Sequence, residues 1–140
     1  MRKSLIKLLG AGVLITASIL MSGCSNSSDK FVGDWTGTVN GEGILNTKQT
    51  CTITMNIIKN GNSLIIENSS VENLVGKYKM KTPLFTNAGL TIKDEMNLVT
   101  PASNGSTYTL TYLNDKNIIS MNPSPCIIGI QAVEVDLNKK

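Results

Sequence analysis

Two patterns of apolar and polar positions divide the chain. Residues 8–20 form an uncharged, mostly apolar run. From residue 31 onward the dominant period is two, the signature of strands buried on one face. Phe31, Gly33, Trp35, Gly37 and Val39 share a face. Across residues 50–59, Cys51, Ile53, Met55 and Ile57 alternate with Thr52, Thr54 and Asn56. Asn60-Gly61 follows, a pair suited to a tight hairpin turn because both positions tolerate positive φ. Residues 63–67 return with Leu64 and Ile66 inward. Residues 71–80 predict one or two short strands, ended by Pro83, which cannot donate to a ladder. Residues 90–99 place Leu90, Ile92, Met96 and Leu98 on one face, and a bulge at Asp94-Glu95 is expected to turn both acids outward. The alternative leaves Asp94 as a polar group inside a ligand cavity. After Asn104-Gly105, residues 107–113 set Tyr108, Leu110 and Tyr112 against Thr107, Thr109 and Thr111. Residues 114–116 turn the chain, residues 117–121 continue the pattern, and Pro123-Ser124-Pro125 interrupts it. The last stretch, 127–137, changes phase between Ile128/Ile130 and Val133/Val135/Leu137, which predicts a bulge near Gln131 or Ala132. Roughly eight strands joined mostly by short turns predict an all-β fold, an antiparallel up-and-down barrel, with a β-sandwich as the alternative, because both arrangements limit exposed edges.

The apolar run changes the reading of the first thirty residues. Arg2, Lys3 and Lys7 precede it, and Leu20-Met21-Ser22-Gly23-Cys24 closes it. A membrane-spanning helix needs about 20 apolar residues, so a run this short fits the helical core of an export signal. The closing residues resemble the lipobox of bacterial lipoproteins: Ser22, Gly23 and Cys24 match, and Met21 stands where Leu is usual. That resemblance implies cleavage between Gly23 and Cys24 and a lipid on the Cys24 sulfur. It also divides the chain into a signal (1–23), a lipidated Cys with a polar tether (24–30) and a β domain (31–140). Fully extended, residues 25–30 reach about 20 Å, so such a domain would lie close to its bilayer. Ser25 rather than Asp follows the Cys. Among sorted lipoproteins this implies the outer membrane, facing the periplasm or the surface.

Charge then loses its apparent meaning. Three of the thirteen basic residues lie in the signal, and the remaining ten Lys balance ten Asp and Glu. A neutral domain has no field that draws it to nucleic acid. There is no His, and Arg2 is the sole Arg. A Ser-His-Asp arrangement therefore cannot form, and no catalytic residue, cofactor or metal site is expected. With Cys24 acylated, Cys51 and Cys126 remain. In an oxidising compartment this pair predicts a structural disulfide. Lys77, Lys79 and Lys81 alternate, which predicts a solvated face or the protection of an edge strand.

Gly33-Asp34-Trp35 at the start of the first strand resembles the G-x-W signature of lipocalin-like barrels. There the Trp plugs the closed end under an Arg from the last strand. No Arg follows residue 2 here. The resemblance implies a structural role for Gly33 and Trp35 and a barrel that binds a small apolar ligand or an envelope component. The alternative is a protein-binding inhibitor or assembly accessory, similar to small lysozyme-inhibitor barrels, acting through a surface loop for which residues 81–89 are the candidate. Two structural features separate these readings: a hollow apolar lumen, or a filled core with a protruding loop.

Overall fold

In the computed structural model, residues 27–103, 105–129 and 131–140 are described. The expected signal helix, the cleavage site at Gly23 and Cys24, and the first residues of the tether, Ser25 and Asn26, lie outside them.

A short 3-10 turn, Ser27–Phe31, leads into strand β1 (Gly33–Glu42). β2 (Lys48–Asn60), β3 (Ser63–Val75) and β4 (Tyr78–Ile92) are long. β5 (Asn97–Val99), β6 (Thr109–Leu113) and β7 (Ile118–Asn122) are short. A small hairpin of β8 (Ile127–Ile128) and β9 (Gln131–Ala132) precedes β10 (Val135–Lys139). Eight of these strands close an antiparallel barrel in the order β10-β1-β2-β3-β4-β5-β6-β7, with β7 pairing back to β10. The expected eight-stranded barrel is therefore the fold, and the sandwich alternative is excluded by the closure.

Alternation drives that closure, because every strand must bury one face. Ile53, Met55, Ile57, Leu64, Ile66, Leu98, Leu110, Ile119, Met121, Val135 and Leu137 all point inward and are at most 2% exposed. Side chains so covered leave little solvent access between them. The lumen is packed with aliphatic groups, as small eight-stranded barrels allow. Register shifts at Asn56/Ile57 and at Ser69/Ser70 insert extra residues into the long strands. Such bulges bend a sheet and help it to curl.

Four local expectations are corrected. Residues 63–75 are one strand, and the reversal occurs at Gly76-Lys77, where Gly76 takes φ +61°. Pro83 does not end a strand: it lies inside β4, opposite Ser70 at the bulge. It is tolerated because β5 pairs with β4 only at Thr91 and Ile92, so at Pro83 the other edge of the strand makes no ladder. Residues 90–99 are two strands with a turn between them. There Asp94 accepts hydrogen bonds from the Met96 amide (2.8 Å) and the Asn97 side chain (2.9 Å). An Asx turn, rather than a bulge, carries the acids outward. The phase change in residues 127–137 is likewise a hairpin, β8–β9, with Gly129 at φ +66°.

Candidate functional site

The two ends of the barrel differ in chemistry. At the closed end, Trp35 is 1% exposed and its indole Nε1 donates to the Phe31 carbonyl at 2.8 Å. Tyr112 meets Phe31 edge-on at 5.8 Å and Trp35 at 6.4 Å. Gly33 begins β1 and Trp35 is buried in the core at this end. Gly33 has φ +143°, and a Cβ there would lie 2.5 Å from Lys139 Cε. The glycine leaves room for the Lys139 chain, whose ammonium sits over the Trp35 ring. Sequence reading missed this cation because it sought an Arg.

Cys51 and Cys126 are joined by a disulfide with Cα atoms 5.8 Å apart, as expected. Cys51 lies on β2 opposite Val39 of β1 and Asn73 of β3. The bond ties the β8–β9 insertion to the wall of the barrel. Ser124, buried beside it, donates from Oγ to the Val133 carbonyl and accepts from the Cys126 amide at 3.2 Å.

A groove of about 530 Å³ runs over β1–β4, lined by polar residues such as Asp34, Thr54, Asn56 and Thr86 together with Trp35, Met55 and Pro83. Register aligns Asp34, Asn56, Asn68 and Thr86 in one row, and Thr36, Thr54, Ser70 and Pro83 in the next. Several of these groups satisfy one another. Asn56 Nδ2 donates to Asp34 at 2.5 Å, and the Thr54 and Ser70 hydroxyls lie 2.8 Å apart. This groove contains neither a nucleophile beside a base nor an exposed aromatic ring. Among the described residues no group of three or more His, Cys, Asp or Glu side chains comes together.

The open end gathers most of the exposed apolar groups; Ile92, expected to face inward, is half exposed near the other end. The β3–β4 hairpin carries Leu74, Tyr78 and Met80, the last two 73% and 67% exposed. Ile127, from β8, is 56% exposed. Leu45 is 91% exposed in the β1–β2 connection, on a left-handed backbone with φ 60°. That connection meets the hairpin where the Gly76 amide donates to the Lys48 carbonyl at 3.1 Å. Holding Leu outward in a left-handed conformation costs about 1–3 kcal/mol, a strain that clusters at functional sites.

A cleft of about 430 Å³ opens beside this rim. Val71 and Asn73 of β3 and Thr82, Pro83 and Leu84 of β4 form one side; Ser103, Ser106 and Tyr108, with residues of the 123–132 insertion that include Ile127, form the other. It exists because the chain leaves β4 after two residue pairs with β5. Residues 100–108 then bond mainly among themselves: the Thr100 amide donates to the Tyr108 carbonyl at 2.9 Å, and Ser103 bridges Ser106. From Tyr78 to Leu90, no strand among the described residues pairs with this edge of β4.

Of the three alternating lysines, Lys79 and Lys81 share the outer face of β4 opposite Leu74 and Glu72, whereas Lys77 occupies the turn. Lys79 approaches Glu72 at 3.5 Å, and the Lys77 ammonium lies 5.7 Å from the Tyr78 ring centre. The expected edge-strand role fits this placement. The loop proposed for residues 81–89 is strand, and the protruding element is the hairpin before it. The alternating lysines were the one sequence signal that marked it. No family model, curated protein or solved structure matches the chain.

Proposed function

We propose that the chain is a membrane-anchored envelope lipoprotein whose barrel is a non-enzymatic binding domain, recognising an envelope component at its open end. The observation that carries this reading is the division of apolar surface. Inward side chains fill the lumen, while Leu45, Tyr78, Met80 and Ile127 remain exposed around the mouth. Single exposed apolar residues are ordinary, but several gathered on one rim mark an interaction surface. Anchoring rests on the lipobox resemblance around Cys24.

Deep in the barrel the packed aliphatic groups already occupy the lumen, so a small apolar ligand would be confined to the cleft of about 430 Å³ at the mouth. The filled core therefore favours the protein-binding alternative over the carrier reading. Photo-crosslinking side chains placed at Tyr78 and Ile127, and at Lys116 on the closed end as a control, test it in the native envelope. Adducts with one envelope component from the two rim positions and not from the control are expected. Equal labelling from all three positions would sink the proposal, as would a small apolar molecule retained in native mass spectrometry.

A further inference from the structure

We propose that the free edge of β4, over Tyr78–Thr82, takes up an extended peptide segment as an added strand, and that this segment alternates apolar with acidic residues. The inference rests on the binding-domain reading above and gives it a mode. An unpaired edge presents a row of backbone donors and acceptors, and pairing with an extended chain is the most direct way to satisfy them. Along β4 the opportunity is limited by the sequence. Pro83 lacks an amide hydrogen, and Asn87 adopts φ 49°, which breaks the extended geometry. The stretch Tyr78-Lys79-Met80-Lys81-Thr82 carries neither obstacle. Thr82, at the end of the stretch, also lines the cleft of about 430 Å³ at the barrel mouth, together with Val71 and Asn73 of β3, Tyr108 and Ile127.

The side chains on that stretch define the occupant. Tyr78, Met80 and Thr82 face the inner side, opposite Val75, Asn73 and Val71. Lys79 and Lys81 face the outer side, opposite Leu74 and Glu72. A strand laid along the edge would set alternate residues beside Tyr78 and Met80, and the intervening ones beside the two lysines. Cross-strand neighbours of opposite charge attract and like charges repel. The complementary sequence is therefore apolar on one face and acidic on the other. The same rule disfavours a second copy of this chain: antiparallel self-pairing centred on Met80 would place Lys79 opposite Lys81 on both sides. Only Glu72 lies within salt-bridge reach of this pair of lysines among the described residues, and it engages Lys79.

The test uses the full chain in detergent micelles and three synthetic peptides of about six residues, a common strand length. One alternates valine with aspartate, one alternates valine with lysine, and one is the aspartate peptide N-methylated at alternate residues. The aspartate peptide is expected to slow hydrogen exchange within Tyr78–Thr82, and to bind about tenfold or more tightly than the other two, since charge pairing and backbone pairing both contribute. Replacing both cations (Lys79→Glu with Lys81→Glu) should reverse the preference toward the lysine peptide. Replacing the apolar pair (Tyr78→Ser with Met80→Ser) should weaken both peptides alike. Equal binding of the N-methylated peptide, or unchanged exchange across Tyr78–Thr82 at saturation, overturns the proposal. So does a dimer cross-linked through Met80 in the absence of peptide. If crosslinks form at Ile127 while these amides stay unprotected, strand addition fails and the binding-domain reading stands; if neither forms, both fail.

Discussion

The Lys139 ammonium lies 5.5 Å from the centre of the Trp35 ring, and the two residues are direct partners in the β1–β10 ladder. Val135 and Leu137 take the inward positions before it and are fully buried. Lys139 is the next inward position, at the point where the barrel ends. Its aliphatic stem covers the indole and its charge reaches water, which is how a long cation closes an apolar end. The ring face attracts the cation, a contact worth about 0.5–1 kcal/mol at an exposed site.

Lys139→Ala is expected to cost about that amount in urea unfolding, and Lys139→Arg to retain the contact. Trp35→Ala should cost about 3–5 kcal/mol, because a fully buried aromatic leaves a cavity. Gly33→Ala should displace Lys139 as well as straining the backbone. Trp35 is the sole Trp, so its emission spectrum reports the closed end alone. An unaltered spectrum in Gly33→Ala would refute the displacement.

The disulfide closes a loop of 75 residues between β2 and the β8–β9 insertion. On the chain-entropy model such a closure stabilises by about 4 kcal/mol. Cys51→Ser with Cys126→Ser is expected to lower the unfolding free energy by about that much, a large share of a total near 5–15 kcal/mol. Denaturant titration of the double variant checks it. A midpoint unchanged from the parent chain would mean that the native contacts of Cys126 hold the insertion without the bond.

The turn after β4 should respond to acid. The Asp94 carboxyl is held below its ordinary pKa, first by the hydrogen bond from the Met96 amide and then by the Asn97 side chain. A depressed folded-state pKa means that the charged form supports the turn. That support is complete above the unfolded-state pKa and is lost as pH falls through the lower, folded-state value. The protection of the Met96 and Asn97 amides, measured against the unstructured-chain rate at the same pH, is therefore expected to fall at pH below the usual carboxylate range. Asp94→Ala should show the reduced protection at all pH values. A parent turn indifferent to acid would contradict the assignment.

The anchoring proposal has its own check. The parent chain is expected to incorporate radiolabelled palmitate and to partition with membranes. Cys24→Ser should abolish both, because stable anchoring by acyl chains needs the thioether on that sulfur. Labelling that survives the substitution would place the lipid elsewhere or remove it from the account.

Much of the barrel was legible in the alternation of side chains. Residues 51–57 and 108–112 have one face buried and one polar, and a strand buried on one side must be written that way. Cys51 and Cys126 could be paired by elimination once Cys24 was assigned to a lipid. Errors arose where a local signal had two structural meanings. Pro83 reads as a terminator, yet it is accommodated on a strand whose second edge is unpaired. A phase change in residues 127–137 reads equally as a bulge or as a hairpin, since both shift the period by a residue or more.

The chain's own order of residues thus determined that strands form and that the chain reverses around Gly61, although the turn falls on Gly61-Asn62, with Asn60 paired to Ser63 in the ladder, rather than on Asn60-Gly61. These depend on neighbours a few positions away. Tertiary structure decided that the lumen is filled, that Lys139 covers Trp35, and that β4 keeps an open edge beside Tyr78 and Met80. Those outcomes depend on which strands meet at closure and how far each pairing runs, and such long-range registers are set by the packing of the whole barrel rather than by any local pattern.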